Sequence, residues 1–182
     1  MTTVASPRDR LLGTASRLFY AEGIHTVGVD RLVAEAGVTR ATFYRHFPAK
    51  EDLVVAYLQG RHEEIRAGAE AAITGRKAAD ALVTVLDFVG ESTCALDFRG
   101  CPFINAAAEY PDPAHPVRQV VSRHRAWFWD TLHLLVVEAG HPDPDHVTGV
   151  LVLLRDGALQ GGELDDPTFV RTTLQRAIRD LF

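Results

Sequence analysis

From Leu11 to Leu181 the apolar residues fall three and four apart, in blocks separated by Gly and Pro, and none of these blocks alternates with the period of two that a strand requires. The chain is therefore expected to be all-α. Punctuation comes at Gly23, Gly37, Pro48, Gly75, Gly100-Cys101-Pro102, Pro111 to Pro116, His141 to Pro144 and Gly161 to Pro167. With 182 residues there is enough chain for one compact domain, or for two small helical ones around a continuous core. No repeat, low-complexity tract or long Gly/Ser linker suggests a solenoid or separate beads.

Charge and composition remove several classes. Nineteen Lys and Arg against 24 Asp and Glu leave a net charge of −5, so the chain as a whole is not a polybasic nucleic-acid binder. The distribution is uneven: Met1 to Leu58 holds seven basic and six acidic residues, and the remainder holds 12 and 18. Any nucleic-acid site must be local to the first third. Apolar runs such as Val150 to Leu154 fall far short of the roughly 20 residues that span a bilayer, so no membrane association is expected. Met1 to Arg10 lacks the apolar core of a secretory signal, and the expected location is cytoplasmic. Cys94 and Cys101 are too few for a disulfide framework and lack the spacing of a zinc site; neither a metal nor a cofactor is expected.

Helix signals are clearest at the start. Ser6 as N-cap, Pro7 in the first helical position and Asp9 in the first turn open a helix that carries Leu11, Leu12, Ala15, Leu18 and Phe19 and stops at Gly23. A short second helix carries Leu32, Val33 and Ala36 up to Gly37. Thr39 can cap a third, with Phe43 and Phe47 on one face and Pro48 blocking its continuation. Two short helices joined by a Gly-containing turn make a helix-turn-helix. Further helices are expected over residues 51–73, 78–97, 102–110, 116–139, 145–160 and 167–181.

With about 100° per residue and Phe43 and Phe47 turned inward, Ala41 and Arg45 of the third helix project outward, flanked by Thr42 and Tyr44. Such a face suits a DNA major groove. Arg45 can donate a bidentate pair to guanine, Thr42 can hydrogen-bond or touch a thymine methyl, and Ala41 permits close approach. Thr39, Tyr44 and His46 can reach phosphates, Arg40 adds charge, and Lys50 opens the next helix, whose free N–H groups form a phosphate site.

The run Gly37-Val38-Thr39-Arg40-Ala41-Thr42-Phe43-Tyr44-Arg45-His46-Phe47-Pro48-Ala49-Lys50-Glu51-Asp52-Leu53, with Leu11 to Gly23 and Val29 to Ala36 before it, resembles the TetR family of bacterial transcriptional regulators. The resemblance covers roughly the first 60 residues. It implies a three-helix DNA-binding head over residues 1–50 and a larger helical body over residues 51–182 that binds an inducer and dimerises. By this likeness the contacts to double-stranded DNA fall on Thr39, Arg40, Ala41, Thr42, Tyr44, Arg45, His46 and Lys50, and two heads would read a near-palindromic operator. Gly28 and Ala49 depart from the family pattern, which commonly places a capping Ser or Thr there. Thr26 is the nearest hydroxyl to replace the first, and nothing evident replaces the second; a lost cap costs on the order of 1 kcal/mol.

In the body, Phe88, Phe98, Phe103, Asn105, Tyr110, His124, Trp127 and Phe128 are the candidate lining of a small-molecule site. Core packing competes with that reading for each aromatic and for His124, and a backbone hydrogen bond competes for Asn105. The last two helices, with Val147, Val150, Leu151, Leu154, Ala158, Phe169, Leu174 and Ile178, are more apolar than a solvent-facing pair needs, so a homodimer interface is expected there. Burial within one chain is the alternative. The function expected is a DNA-binding repressor released by an inducer. Rival readings are redox sensing through Cys101 and Cys94, or an enzyme pairing Cys101 with His124 and Asp97 or Glu109. No local signature supports the enzyme, and His141 to His146 reads as a capped loop.

Overall fold

The computed structural model describes residues 5–182, and Met1 to Val4, part of the N-terminal segment read above, lie outside the described residues. Among the described residues the chain is helical without strands: α1 (Pro7–Glu22), α2 (Val29–Ala36), α3 (Arg40–His46), α4 (Lys50–Ile73), α5 (Ala78–Ser92), α6 (Pro102–Glu109), α7 (Pro116–Glu138), α8 (Pro144–Leu164) and α9 (Pro167–Arg179). None of these helices is long and apolar enough to cross a membrane.

The helix starts obey local rules. Ser6 accepts from the Asp9 amide, Thr39 from that of Thr42, Asp143 from that of His146, and Asp166 from those of Thr168 and Phe169. At the two departures the outcomes differ. Gly28 is the N-cap of α2 with no side-chain cap, so Thr26 does not replace the missing hydroxyl. Ahead of α4, Asp52 reaches back and accepts from the Ala49 amide at 2.8 Å, which supplies the acidic half of a capping box, while the hydroxyl half is missing at Ala49.

Two ends differ from the sequence reading. Helix α5 stops at Ser92 instead of residue 97, where the hydroxyls of Ser92 and Thr93 bond to the carbonyls of Val89 and Gly90 at 2.7 and 2.8 Å. Helix α8 runs through Gly161 and Gly162 to Leu164. A Cβ on Gly162 would lie 2.5 Å from Thr93 Cβ, so this glycine serves close approach of two segments, not helix termination.

The compact units do not divide at residues 50 and 51. One unit joins the residues up to His62 with Pro102–Ser122; the other joins Glu63–Cys101 with Arg123–Phe182. In the first, α2 and α3 pack on α1 and on each other around Leu11, Leu18, Leu32 and Phe43, all fully buried. Full burial of each such side chain contributes about 1.5–3 kcal/mol. In the second, α5 packs on α8 and α9, and Leu82, Leu86, Leu132, Leu151 and Ile178 form its centre.

The fit at Gly162 is directly testable. Gly162→Ala should lower the unfolding free energy by about 1–3 kcal/mol despite the better helix propensity of Ala. Gly68→Ala, at an exposed site inside α4 with open space around it, should raise it by about 0.5–1 kcal/mol. Urea denaturation of both variants checks the opposite signs.

Candidate nucleic-acid interface

Helix α3 is held from below by its aromatics. Phe43 and Phe47 are buried with ring centres 6.2 Å apart, and Phe43 meets the Tyr44 ring edge-on at 5.2 Å. The turn before it has its own supports. Gly37 sits at φ 61°, the Val38 amide bonds to the Val33 carbonyl at 3.0 Å, and Arg10 of α1 donates to the carbonyls of Ala36 and Gly37 at 3.0 and 3.3 Å. The helix that carries the outward face is therefore fixed at its start, at its base and against α1.

Of the eight residues expected at DNA, Thr39, Arg40, Ala41, Tyr44 and Arg45 are exposed, and Thr42 is half-buried. Tyr44 leaves 44% of its surface in solvent although it is a large aromatic. The Thr39 hydroxyl is engaged as a cap and lies 2.9 Å from that of Thr42. Arg40 pairs with Asp30 at 3.1 Å, but both side chains are largely exposed, and such a pair is weak enough to exchange for a phosphate oxygen.

His46 and Lys50 are placed differently from the expectation. His46 is half-buried, and its Nε2 is enclosed without a hydrogen-bond partner among the described residues. That nitrogen is not presented outward to a phosphate. Lys50 Nζ donates to the Ile24 carbonyl at 2.6 Å and lies 5.8 Å from the Phe19 ring centre. Burial pushes its ammonium below the usual lysine range, against the opposing pull of Glu51 and Glu109. Its side chain holds the α1–α2 turn, and only the helix start that Lys50 opens remains for a phosphate.

Sequence reasoning missed a second side chain bound to the same turn. Glu109, the last residue of α6, accepts from the amides of Ile24 and His25 at 2.8 and 2.6 Å, across 85 and 84 residues of chain. Next to it Tyr110 packs between the rings of His25 and His115, with centres 4.9 and 4.6 Å away, and burial pushes its phenol up to about 12. No local motif marks Glu109.

The residues proposed around a small molecule divide between the two units. Phe103 and Tyr110 are buried and Asn105 is half-buried in the first. In the second, buried His124 stacks on Trp127 at 5.6 Å, Trp127 lies 6.1 Å from buried Phe128, and Phe98 is half-buried. Buried Arg155 places its guanidinium 5.0 Å from the Phe128 ring centre and donates to Asp156 at 2.7 Å and to Cys101 Sγ at 3.5 Å. Phe88 is 56% exposed on α5 and does not join the interior aromatics.

The dimer surface also needs correction. Val147, Leu151, Ala158, Leu174 and Ile178 are buried within a single chain, because they form the face of α8 and α9 that packs on α5. Val150 and Leu154 are half-buried, and Phe169 is exposed. Two apolar side chains not named from the sequence, Leu153 and Leu164, stand out at 72% and 81% exposure.

A tightly anchored helix-turn-helix with an outward Tyr, Arg and Ala defines a DNA-binding regulator. The model for bacterial regulatory proteins of the tetR family matches residues 11–57. The crystal structure of SCO4454, a TetR-family transcriptional regulator from Streptomyces coelicolor, is 48% identical, with 96% of this chain and 93% of that chain covered and a TM-score of 0.93. A tetr-transcriptional regulator from Streptomyces avermitilis is 31% identical with a TM-score of 0.84, over 98% of this chain and all of that one. The HTH-type transcriptional regulator YjdC of Escherichia coli is 24% identical over 84% of this chain and 81% of its own length. The chain belongs to the TetR family of transcriptional regulators, and it is not an enzyme.

The changed role of Lys50 yields a sharp expectation. Lys50→Ala should destabilise the chain by about 1–2 kcal/mol through the lost charged hydrogen bond. It should leave the salt dependence of DNA binding unchanged, because no side-chain phosphate contact is removed. Denaturant titration and binding at several salt concentrations separate the two effects.

Proposed function

We propose that this protein is a homodimeric repressor that reads a near-palindromic operator through α3 and leaves it when a small molecule binds the helical body. The observation that carries the DNA reading is the outward set Ala41, Tyr44 and Arg45 above buried Phe43 and Phe47. Thr39, Arg40 and Thr42 complete the contact face, with the start of α4 as a backbone phosphate site. Arg45 serves as the base reader, since its forked guanidinium matches the two acceptors of guanine.

Dimerisation is supported by the outer face of α8, where Val150, Leu153, Gly157 and Leu164 follow helical spacing, with Phe169 on α9. Large apolar side chains left in solvent favour self-association. The small-molecule reading is supported by the aromatic grouping of His124, Trp127 and Phe128, with the Arg155 guanidinium against Phe128. A ligand that prefers a body geometry with the two heads spread beyond the half-site spacing weakens DNA binding by its differential affinity. Equal head-to-head distances with and without inducer would overturn that step.

A second reading, release by oxidation of Cys101, has one contact in its favour, the Arg155 donor 3.5 Å from Sγ. Burial stands against it, since Cys101 is only 1% exposed while Cys94 is open. Unchanged DNA affinity after peroxide treatment would remove it.

The direct experiment is fluorescence anisotropy with the duplex upstream of the protein's own gene, in the presence of excess unrelated DNA. Competitor-resistant binding by two subunits per duplex is expected, and Arg45→Ala should cost about 1–3 kcal/mol and relax the base preference. A uniform loss on every sequence would contradict the role of Arg45. Sedimentation should give a dimer that Leu153→Glu weakens; a concentration-independent monomer mass for the unaltered chain would remove the dimer. Ligand screens that neither quench tryptophan fluorescence nor shift the melting point would remove the proposed pocket.

A further inference from the structure

The turn between α1 and α2 is short, starts at Gly23 with φ 89°, and ends at an N-cap, Gly28, that has no side chain to close the next helix. Arg31 of α2 ties that helix to Glu22 of α1 at 2.5 and 2.8 Å. The polar backbone groups of the turn itself are taken by two distant side chains. Lys50 takes the Ile24 carbonyl at 2.6 Å, and the two oxygens of Glu109 take the adjacent amides of Ile24 and His25 at 2.8 and 2.6 Å. Both polar backbone groups of Ile24 are thus held by ionised side chains, and Ile24 itself is buried. A carboxylate that accepts two successive N–H groups fixes their orientation as well as their position.

Since α3 packs on both α1 and α2, the direction of α2 sets how α3 is presented. We infer that Glu109 is a positioning residue for DNA reading: the end of α6 clasps the α1–α2 turn and so fixes the presentation of α3. This rests on the DNA-reading function proposed above. Glu109 lies on α6, outside the helix-turn-helix, so a shift of α6 changes DNA affinity without touching a DNA contact. Glu109 Oε2 also stands 3.6 Å from His25 Nδ1.

The test uses the full chain. Glu109→Gln keeps the length of the side chain but turns one acceptor into an N–H donor facing a backbone N–H; Glu109→Asp is one methylene too short to reach both amides. Amide hydrogen exchange by NMR in the DNA-free protein should show Ile24 and His25 exchanging about tenfold faster or more in Glu109→Gln. Operator affinity should fall about tenfold with an unchanged salt slope, because no phosphate contact is lost. Glu109→Asp should show the same pattern at smaller amplitude. Circular dichroism checks that both variants keep their helices. A role limited to stability would lower the melting point yet leave the operator affinity of the folded protein at the unaltered value, and that result overturns the inference. Unaltered exchange at Ile24 and His25 overturns it as well. Failure of the unaltered protein to bind any operator would fault the DNA reading, whereas the exchange measurement would still decide whether the clasp exists.

Discussion

A turn of a few residues between two helices has more backbone donors and acceptors than its own side chains can satisfy, and here that requirement is met from far along the chain. Ile24 is buried, so an unpaired N–H or carbonyl on it would cost about 1–3 kcal/mol. Glu109 and Lys50 satisfy both. Each is an ionised group drawn partly out of water, and each is tolerated because the backbone dipoles it meets replace its hydration. The head is therefore not a self-sufficient three-helix unit. Its compact unit includes α6 and the start of α7, and Arg118 of α7 donates to the Ala107 and Tyr110 carbonyls at 3.4 and 3.2 Å to hold the end of α6.

What was legible in the sequence is what depends on neighbours within a few residues. The caps at Ser6 and Thr39, the left-handed stop at Gly37 and the inward pair Phe43 and Phe47 all act over one or two helical turns. Their residue types therefore carry the signal by themselves. The outward direction of Ala41, Tyr44 and Arg45 follows from the same periodicity. The bond from Lys50 to the Ile24 carbonyl is not legible, because a lysine at a helix start is compatible both with a phosphate and with a carbonyl 26 residues earlier. The contacts of Glu109 and Gly162 are illegible for the same reason: their partners, Ile24 and Thr93, lie 85 and 69 positions away.

The last two helices show a different limit. Helix α8 is apolar on two faces, one with Val147, Leu151 and Ala158 and one with Val150, Leu153 and Leu164. Composition reveals the excess of apolar surface but not which face the chain itself covers. The structure covers the first with α5 and leaves the second in solvent. Gly162 belongs to the covered side, where Thr93 leaves no room for a Cβ, whereas Gly157 lies between Leu153 and Leu164 with open space beside it. Two glycines five residues apart on one helix thus have separate physical reasons, one an intrachain contact and the other a low profile on the open face.

The position of α6 in the chain gives these observations a common consequence. The chain passes from the second unit to the first between Cys101 and Pro102, and α6 follows at once. Cys101 is held by Arg155, and Glu109, at the other end of the helix, holds the α1–α2 turn. Within the first unit, the carboxylate at the end of α6 meets two successive amides of the turn, and leaving the Ile24 amide without that acceptor would cost about 1–3 kcal/mol. An interaction of that size orders a short turn whose own side chains offer no cap at Gly28.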